Sequence, residues 1–210
     1  MPLRLPPLYP IVDVGVCRLR GLDPLAVLDG FLAGGARFIQ LRDKTTRTGP
    51  LVALADAAVS RARTAGARLI VNDRADVARL AGADGVHVGQ DDLPVDDVRG
   101  IVGPDAIVGL STHDEAQIDR AISTSADYLA VGPIYGTSTK DTGYSARGLE
   151  LVRYAVARAH DRPVVAIGGI TLDRVPEIMA AGAASVAVIS DLLTGDPARR
   201  VRSFLASRNV

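Results

Sequence analysis

Residues Val71 to Asp92 read VNDRADVARLAGADGVHVGQDD and hold one full unit of the architecture. Ile70-Val71 runs apolar into Asn72-Asp73, and Ala75, Val77, Ala78 and Leu80 then give a short helical apolar face. Gly82 ends that face, and Val86-His87-Val88 runs apolar again into Gly89-Gln90-Asp91-Asp92. Two apolar runs joined by a helix pair as parallel neighbours through a right-handed crossover, so both acidic ends fall at one edge of the sheet. Asp73 and Asp92 are therefore predicted to lie side by side. Two carboxylates so placed repel unless a proton or a cation lies between them.

The same phrase recurs outward in both directions. A helical stretch closes on Gly35-Ala36 before FIQL, on Gly66-Ala67 before LIVN, on Gly82-Ala83 before VHVG, on Ser125-Ala126 before YLAVG and on Gly182-Ala183 before VAVIS. Glycine after a helix takes the left-handed conformation that ends it, and an unbroken apolar run is a strand buried on both faces. LYPIV (Leu8 to Val12), AIVGLS (Ala106 to Ser111) and VVAIGG (Val164 to Gly169) complete eight strands. Helices are expected to begin near Pro24, Pro50, Arg74, Pro94, Asp114, Gly148, Leu172 and Asp196, with Pro24, Pro50, Pro94 and Pro197 in first turns, where proline is tolerated. One helix per strand, eight times over, predicts an α/β protein: a single-domain (β/α)8 TIM barrel spanning residues 1–210. A doubly wound open sheet is the competing arrangement, and seldom carries so many evenly alternating units.

Lys+Arg and Asp+Glu both number 24, so the chain has no general attraction for nucleic acid or an anionic membrane, and any basic function is local. With 48% hydrophobic but only 4% aromatic residues, the core is expected to consist mainly of Ala, Val, Leu and Ile. Cys17 is the only cysteine, which excludes an intrachain disulfide and a cysteine-based metal site. No apolar run approaches the roughly 18 residues of a membrane span. A cytoplasmic protein with small-molecule ligands is the expectation, and a homo-oligomer is compatible with it.

Barrel active sites form where strands end. Those positions supply Gln40-Leu41-Arg42-Asp43-Lys44, Asn72-Asp73, Gln90 and Asp92, Ser111 and His113, Gly168-Gly169, and Ser190-Asp191. Gln40, Arg42 and Lys44 have period two, so an extended segment points them to one side as a row suited to phosphate oxygens; solvated charges at a strand end are the plainer alternative. Asp73 and Asp92 offer hard oxygen ligands of the kind magnesium takes beside substrate phosphates, or each caps the helix that follows it. Gly168-Gly169-Ile170-Thr171 with Ile189-Ser190 fits either a phosphate site or a tight turn. The loop GPIYGTSTKDTGYSARG, Gly132 to Gly148, crowds hydroxyls around Lys140 and is either a ligand-covering loop or a solvated one. His87, inside an apolar run, reads as a packed, hydrogen-bonded histidine. Two anion-binding regions suggest two phosphorylated ligands.

At QLRDK, VNDRADVA, ADGVHVGQDD, GLSTH, VGPIYGTSTK, AIGGI and AAGAASVAVIS, in order from about Phe38 to Leu193, the chain resembles the thiamine phosphate synthase family. The resemblance implies a magnesium-dependent transferase, with one Mg2+ per site, that joins 4-amino-2-methyl-5-hydroxymethylpyrimidine diphosphate to a thiazole phosphate, plain or carboxylated, and releases pyrophosphate. It also implies that Gln40, Leu41, Arg42, Asp43, Lys44 and Asn72 hold the pyrimidine diphosphate, that Asp73 and Asp92 bind the metal, and that Ser111 contacts the pyrimidine. Lys140 would meet the leaving pyrophosphate, and Thr137, Ser138, Thr139, Gly169, Ile189 and Ser190 the thiazole phosphate. Catalytic weight would fall on Lys140, Ser111, Arg42 and Lys44. Gly136 and Asp141 depart from the family, which often has proline and a second basic residue there. An isomerase on the same barrel, the thiazole tautomerase relative, has no use for a diphosphate and so no need of Lys44, Asp73, Asp92 and Lys140; a non-catalytic sensor of thiamine phosphates is the other rival.

Overall fold

The structure, a computed structural model, describes residues 3–136 and 143–207. Eight parallel strands close into a barrel in sequence order, β1 (Leu8–Asp13), β2 (Phe38–Arg42), β3 (Arg68–Asn72), β4 (Gly85–Val88), β5 (Ile107–Thr112), β6 (Tyr128–Val131), β7 (Val164–Ile167) and β8 (Ser185–Val188), with β8 pairing back to β1. Closure rules out the open sheet. Helices α1 (Val14–Leu19), α2 (Pro24–Ala33), α3 (Thr48–Thr64), α4 (Ala75–Leu80), α5 (Val95–Val102), α6 (Glu115–Ile122), α7 (Gly148–Arg158), α8 (Val175–Ala180) and α9 (Pro197–Ala206) surround it.

Local chemistry explains most boundaries. Gly35, Gly66, Gly82 and Gly182 all have positive φ, as the helix-ending phrase requires. Asp23, Asp114 and Asp196 accept hydrogen bonds from backbone amides in the first turns of α2, α6 and α9. Pro24 and Pro197 are the first residues of their helices and Pro50 the third of α3, whereas Pro94 precedes α5.

Three departures from the expected pattern bear on the site. The chain inserts α1 between β1 and α2, capped by Asp13 through Val16 N at 2.9 Å, so the first unit carries two helices. Strand β2 ends at Arg42, leaving Asp43 and Lys44 in a turn; strand β7 ends at Ile167 and β8 at Val188, so Gly168-Gly169 and Ile189 lie beyond the strands and Ser190 opens a 3-10 turn, Ser190–Leu193. The first turn after β7 is a 3-10 turn, Leu172–Arg174, leading into α8.

Two apolar layers hold the barrel. Between strands and helices lies an aliphatic layer of the expected composition, Leu41 and Cys17 among it. Inside the barrel aromatics join the aliphatics Ile11, Ile70 and Val165: Tyr9, Phe38 and Tyr128 meet with centroids 4.6, 6.0 and 5.9 Å apart. Leu3 and Leu5, ahead of β1, pack on this cluster. Burying each such ring contributes about 1.5–3 kcal/mol, so few aromatics suffice when they are concentrated at the axis. Gly109 makes room, since a Cβ there would come within 2.0 Å of the Tyr128 ring.

Candidate active site

The carboxyl ends of the strands place the acidic pair as expected. Asp73 follows β3, donates its amide to His87 O at 2.7 Å and holds φ at 61°. Such a left-handed φ is uncommon outside glycine and is best tolerated by Asp and Asn. Its carboxylate forms an ion pair with Lys44 and lies against that of Asp92. Burial, then the adjoining Asp92, push the Asp73 carboxyl above its ordinary range, against the opposing pull of Lys44. Neither acid caps a helix: α4 and α5 begin after Arg74 and Pro94 with no side-chain cap. Asp92 instead accepts Gly89 N at 2.8 Å, which folds the loop after β4 and holds the carboxylate in place.

The row on β2 is a different matter. Gln40 lies buried in the barrel and donates to the Tyr9 hydroxyl at 2.9 Å. Arg42 is ion-paired with Asp13, its register partner on β1. Lys44, beyond the strand, turns to Asp73. These three groups therefore do not form a line of free donors; each already has a protein partner, because the strand ends before Lys44 and the neighbouring strands supply acceptors. Leu41 points outward into the aliphatic layer, so only its peptide faces the strand-end region. Asp43 is buried, and its Oδ1 accepts Thr45 N at 2.8 Å, Thr46 N at 3.0 Å and Thr45 Oγ1 at 3.2 Å. That carboxylate builds the turn that presents Lys44. Arg18 of α1 grips the same turn, donating to Thr45 Oγ1 at 3.0 Å and Thr46 Oγ1 at 2.7 Å. Asn72 ends β3, buried beside its register partner His87.

A buried hydrogen-bonded chain crosses the barrel beneath these groups. From Gln40 it runs through Tyr9 OH to Tyr128 OH (2.9 Å), to His87 Nδ1 (2.9 Å), and from His87 Nε2 to Ser111 Oγ (2.8 Å). Burial raises the phenol pKa of both tyrosines, so they remain neutral donors. Ser111, whose carbonyl accepts Gln90 Nε2 at 2.7 Å, thus sits at the end of a fixed network.

Ser111 also lines a cavity of about 390 Å³ with His113, Gly169, Ile189 and Ser190, so five residues from strand ends β5, β7 and β8 converge there. Gly168 and Gly169 have φ of 101° and 64°, and a Cβ on Gly169 would meet Gly136 O at 2.5 Å. Their freedom is thus required by close packing of the β6 loop, independently of any ligand. That loop is anchored at both ends: Arg147 N and Gly148 N donate to Pro133 O and Ile134 O at 2.8 and 2.9 Å, and Tyr144 stacks on His113 at 4.2 Å. Thr137, Ser138, Thr139, Lys140 and Asp141 lie outside the described residues. Asp13, Tyr9 and Tyr128 were not expected at the site. Asp13 stands at the end of β1 as Asp73 stands after β3, so treating the first strand like the others would have found it; the tyrosines, inside apolar runs, gave no such signal.

Among the described residues no group of three or more His, Cys, Asp or Glu forms a ready metal cage. Two adjoining carboxylates, one with raised pKa, still suit a cation that completes its shell with substrate oxygens, as magnesium does.

The family model described as "Thiamine monophosphate synthase" matches residues 8–192. The chain is 46% identical over 204 residues to the thiamine-phosphate synthase of Mycobacterium sp. (strain JLS), covering 91% of this chain and 89% of that one. It is 45% identical to the synthase of Acidothermus cellulolyticus, with 95% and 93% covered. The solved thiamine phosphate pyrophosphorylase from Pyrococcus furiosus superposes with a TM-score of 0.86 at 31% identity, covering 96% and 94%.

Proposed function

The chain belongs to the thiamine monophosphate synthase family, and we propose that the mouth of its barrel joins a pyrimidine diphosphate to a thiazole phosphate through the groups at β2 to β5, β7 and β8. It is a transferase of thiamine biosynthesis, forming thiamine phosphate and pyrophosphate. The observation that carries the assignment of the site is the cluster Lys44, Asp73 and Asp92 at one strand edge, beside a cavity at the next strands round the barrel. An isomerase with no diphosphate substrate has no use for that cluster.

The bond that breaks joins the pyrimidine methylene to the diphosphate oxygen, and the leaving electron pair departs on pyrophosphate. The ring electrons of the pyrimidine hold the resulting cation until the thiazole nitrogen donates its pair to the methylene carbon. Such an ionisation needs charge at the leaving group and a positioned nucleophile, with no general base at the reacting carbon. Lys44, released from Asp73, supplies a cation to the diphosphate. Arg42, held by Asp13, brings a second cation to the same strand edge. Asp73 and Asp92 are the residues that would hold one Mg2+, which supplies neutralisation of diphosphate charge when bound. Gln40 and Ser111, fixed by the buried chain, position the pyrimidine. Lys140 would assist departure of pyrophosphate, with Thr137, Ser138 and Thr139 meeting the thiazole phosphate alongside Gly169, Ile189 and Ser190.

Mixing the two substrates with the purified protein and magnesium tests the reaction. Thiamine phosphate and pyrophosphate are expected in equal amounts, and no product from folded protein overturns it. Single-turnover measurement of Lys140→Ala tests the loop: slow formation is expected, and a normal rate removes Lys140 from the mechanism.

A further inference from the structure

The cavity at β7 and β8 carries an unbalanced charge. Two guanidiniums line it, Arg20 from the end of α1 and Arg174 from the turn before α8, and Asp191 is the one carboxylate among the described lining residues. Asp191 is already taken by Arg200, which donates to its Oδ2 from Nη2 at 2.6 Å and Nε at 3.2 Å. Neither Arg20 nor Arg174 forms an ion pair with any described residue. The wall is therefore positive on balance, in a chain with no net charge.

The two cations are held differently. Arg174 donates to Gly169 O at 2.6 Å and lies 4.2 Å over the Tyr135 ring, so it is clamped as a brace between the β6 and β7 loops. Arg20 is exposed and held through one nitrogen: Nη1 reaches Leu193 O at 3.1 Å and Ser190 O at 3.4 Å. Its Nη2 and Nε make no hydrogen bond to a described residue. Two contacts to carbonyls fix the direction of the guanidinium but leave its charge uncompensated and part of its fork unused. A phosphate dianion is the ligand chemistry that such a fork matches.

We propose that Arg20 is a specificity residue for the phosphate of the thiazole substrate, presented to the cavity by the inserted helix α1 and steadied on the carbonyls of Ser190 and Leu193. The proposal rests on the assignment of this cavity to the thiazole phosphate, and adds a side-chain cation to the backbone and hydroxyl groups already assigned there. It gives α1 a role: without that helix the first strand-end loop has no cation to bring to β8.

Calorimetric titration of the full-length protein tests it without requiring turnover. The ligands are thiazole phosphate and the same thiazole with a free hydroxyl in place of the phosphate. Arg20→Ala and Arg20→Gln are expected to lower the preference for the phosphorylated ligand by about 10- to 100-fold, the range for loss of a charge-assisted hydrogen bond. Arg20→Lys, which keeps the charge, is expected to recover most of that preference. Equal weakening of both ligands means that Arg20 only supports the loop and overturns the proposal, as does an unchanged preference, or a wild-type protein that does not distinguish the two ligands. Should the preference depend on Arg20 while no thiamine phosphate forms from the two substrates, Arg20 stands and the assigned reaction falls.

Discussion

Lys44 and Asp73 are ion-paired across the ends of β2 and β3, and Asp92 adjoins the same carboxylate. The cation proposed for the diphosphate and the acid proposed for the metal are thus paired with one another in the ligand-free protein. In the proposed reaction Lys44 would turn to the diphosphate, and Asp73 with Asp92 would then be the residues to hold Mg2+. Lys44 thereby offsets part of the burial and of the Asp92 repulsion that raise the Asp73 carboxyl.

Replacing Asp92 by Ala removes one of the two carboxylates proposed for the metal and the acceptor for Gly89 N. Turnover is expected to fall by at least about 100-fold, a loss of the size seen when groups that stabilise developing charge are removed. The magnesium concentration for half-maximal rate rises, while thiazole phosphate still binds. Steady-state magnesium titrations measure this, and an unchanged magnesium requirement removes Asp92 from the metal site.

Lys44→Met separates the two functions of the pair. Loss of a charge-assisted contact is expected to raise KM for the pyrimidine diphosphate by about 10- to 100-fold. KM for the thiazole phosphate is expected to stay within about threefold, because that cavity lies at β7 and β8. Equal effects on both substrates would show that Lys44 holds the barrel mouth together and contacts neither ligand.

Asp43 is the second test of the Lys44 turn. Burial opposes its ionisation, but hydrogen bonds from Thr46 and Thr45 outweigh burial and hold its carboxyl below the ordinary value. A depressed folded-state pKa contributes stability that is present above the unfolded value, near pH 4, and is lost as pH falls through the folded one. Asp43→Asn keeps an acceptor and removes the charge, so it is expected to cost about 1 kcal/mol at pH 7. The difference from wild type narrows below about pH 4 as the native carboxyl also protonates. Urea unfolding at a series of pH values checks this; a pH-independent difference would mean that the charge contributes nothing.

How far the sequence revealed this site depended on whether a feature was periodic or relational. Strand–helix alternation, the left-handed glycines and the meeting of Asp73 with Asp92 all follow from local pattern plus one handedness rule, and the structure has them. The two-residue period of Gln40, Arg42 and Lys44 was equally visible, yet their pairing to Tyr9, Asp13 and Asp73 was not, since partners on adjacent strands depend on register. Helix α1 was hidden for another reason. At six residues, with glycine as its second, VGVCRL has no amphipathic period to read, and its stability comes from the Asp13 cap and the burial of Val14 and Cys17.

Gly169 links the fold to the proposed thiazole phosphate site. Its φ of 64° disfavours an L side chain by about 1–2 kcal/mol, and a Cβ would also press to 2.5 Å from Gly136 O and 2.9 Å from Tyr135 Cβ. Gly169→Ala is therefore expected to lose more than about 2 kcal/mol of stability and to displace the β6 loop, weakening thiazole phosphate before pyrimidine diphosphate. Thermal unfolding and the two KM values together check it; an unaffected melting temperature would mean that the loop moves away freely.

The buried chain from Gln40 to Ser111 is best probed at its middle. Tyr128 OH joins Tyr9 OH and His87 Nδ1, each at 2.9 Å, at the fully buried centre of the barrel. Phenylalanine fills the same space above Gly109 but leaves two buried polar groups without that partner, which costs about 1–3 kcal/mol. If the chain served packing alone, Tyr128→Phe would lower stability and leave kinetics intact. Because His87 holds Ser111 Oγ at 2.8 Å, loss of the Tyr128 hydroxyl is instead expected to weaken the hold on the imidazole and, through it, the orientation of the serine. The expected signature is a joint fall in stability and in kcat/KM for the pyrimidine diphosphate, with thiazole phosphate binding less affected. Ser111→Ala is expected to reproduce the kinetic loss with little of the stability loss, because its Oγ lies at the partly exposed end of the chain. Comparing the two variants separates orientation from packing: a Ser111→Ala protein with normal kinetics would reduce the network to a structural one.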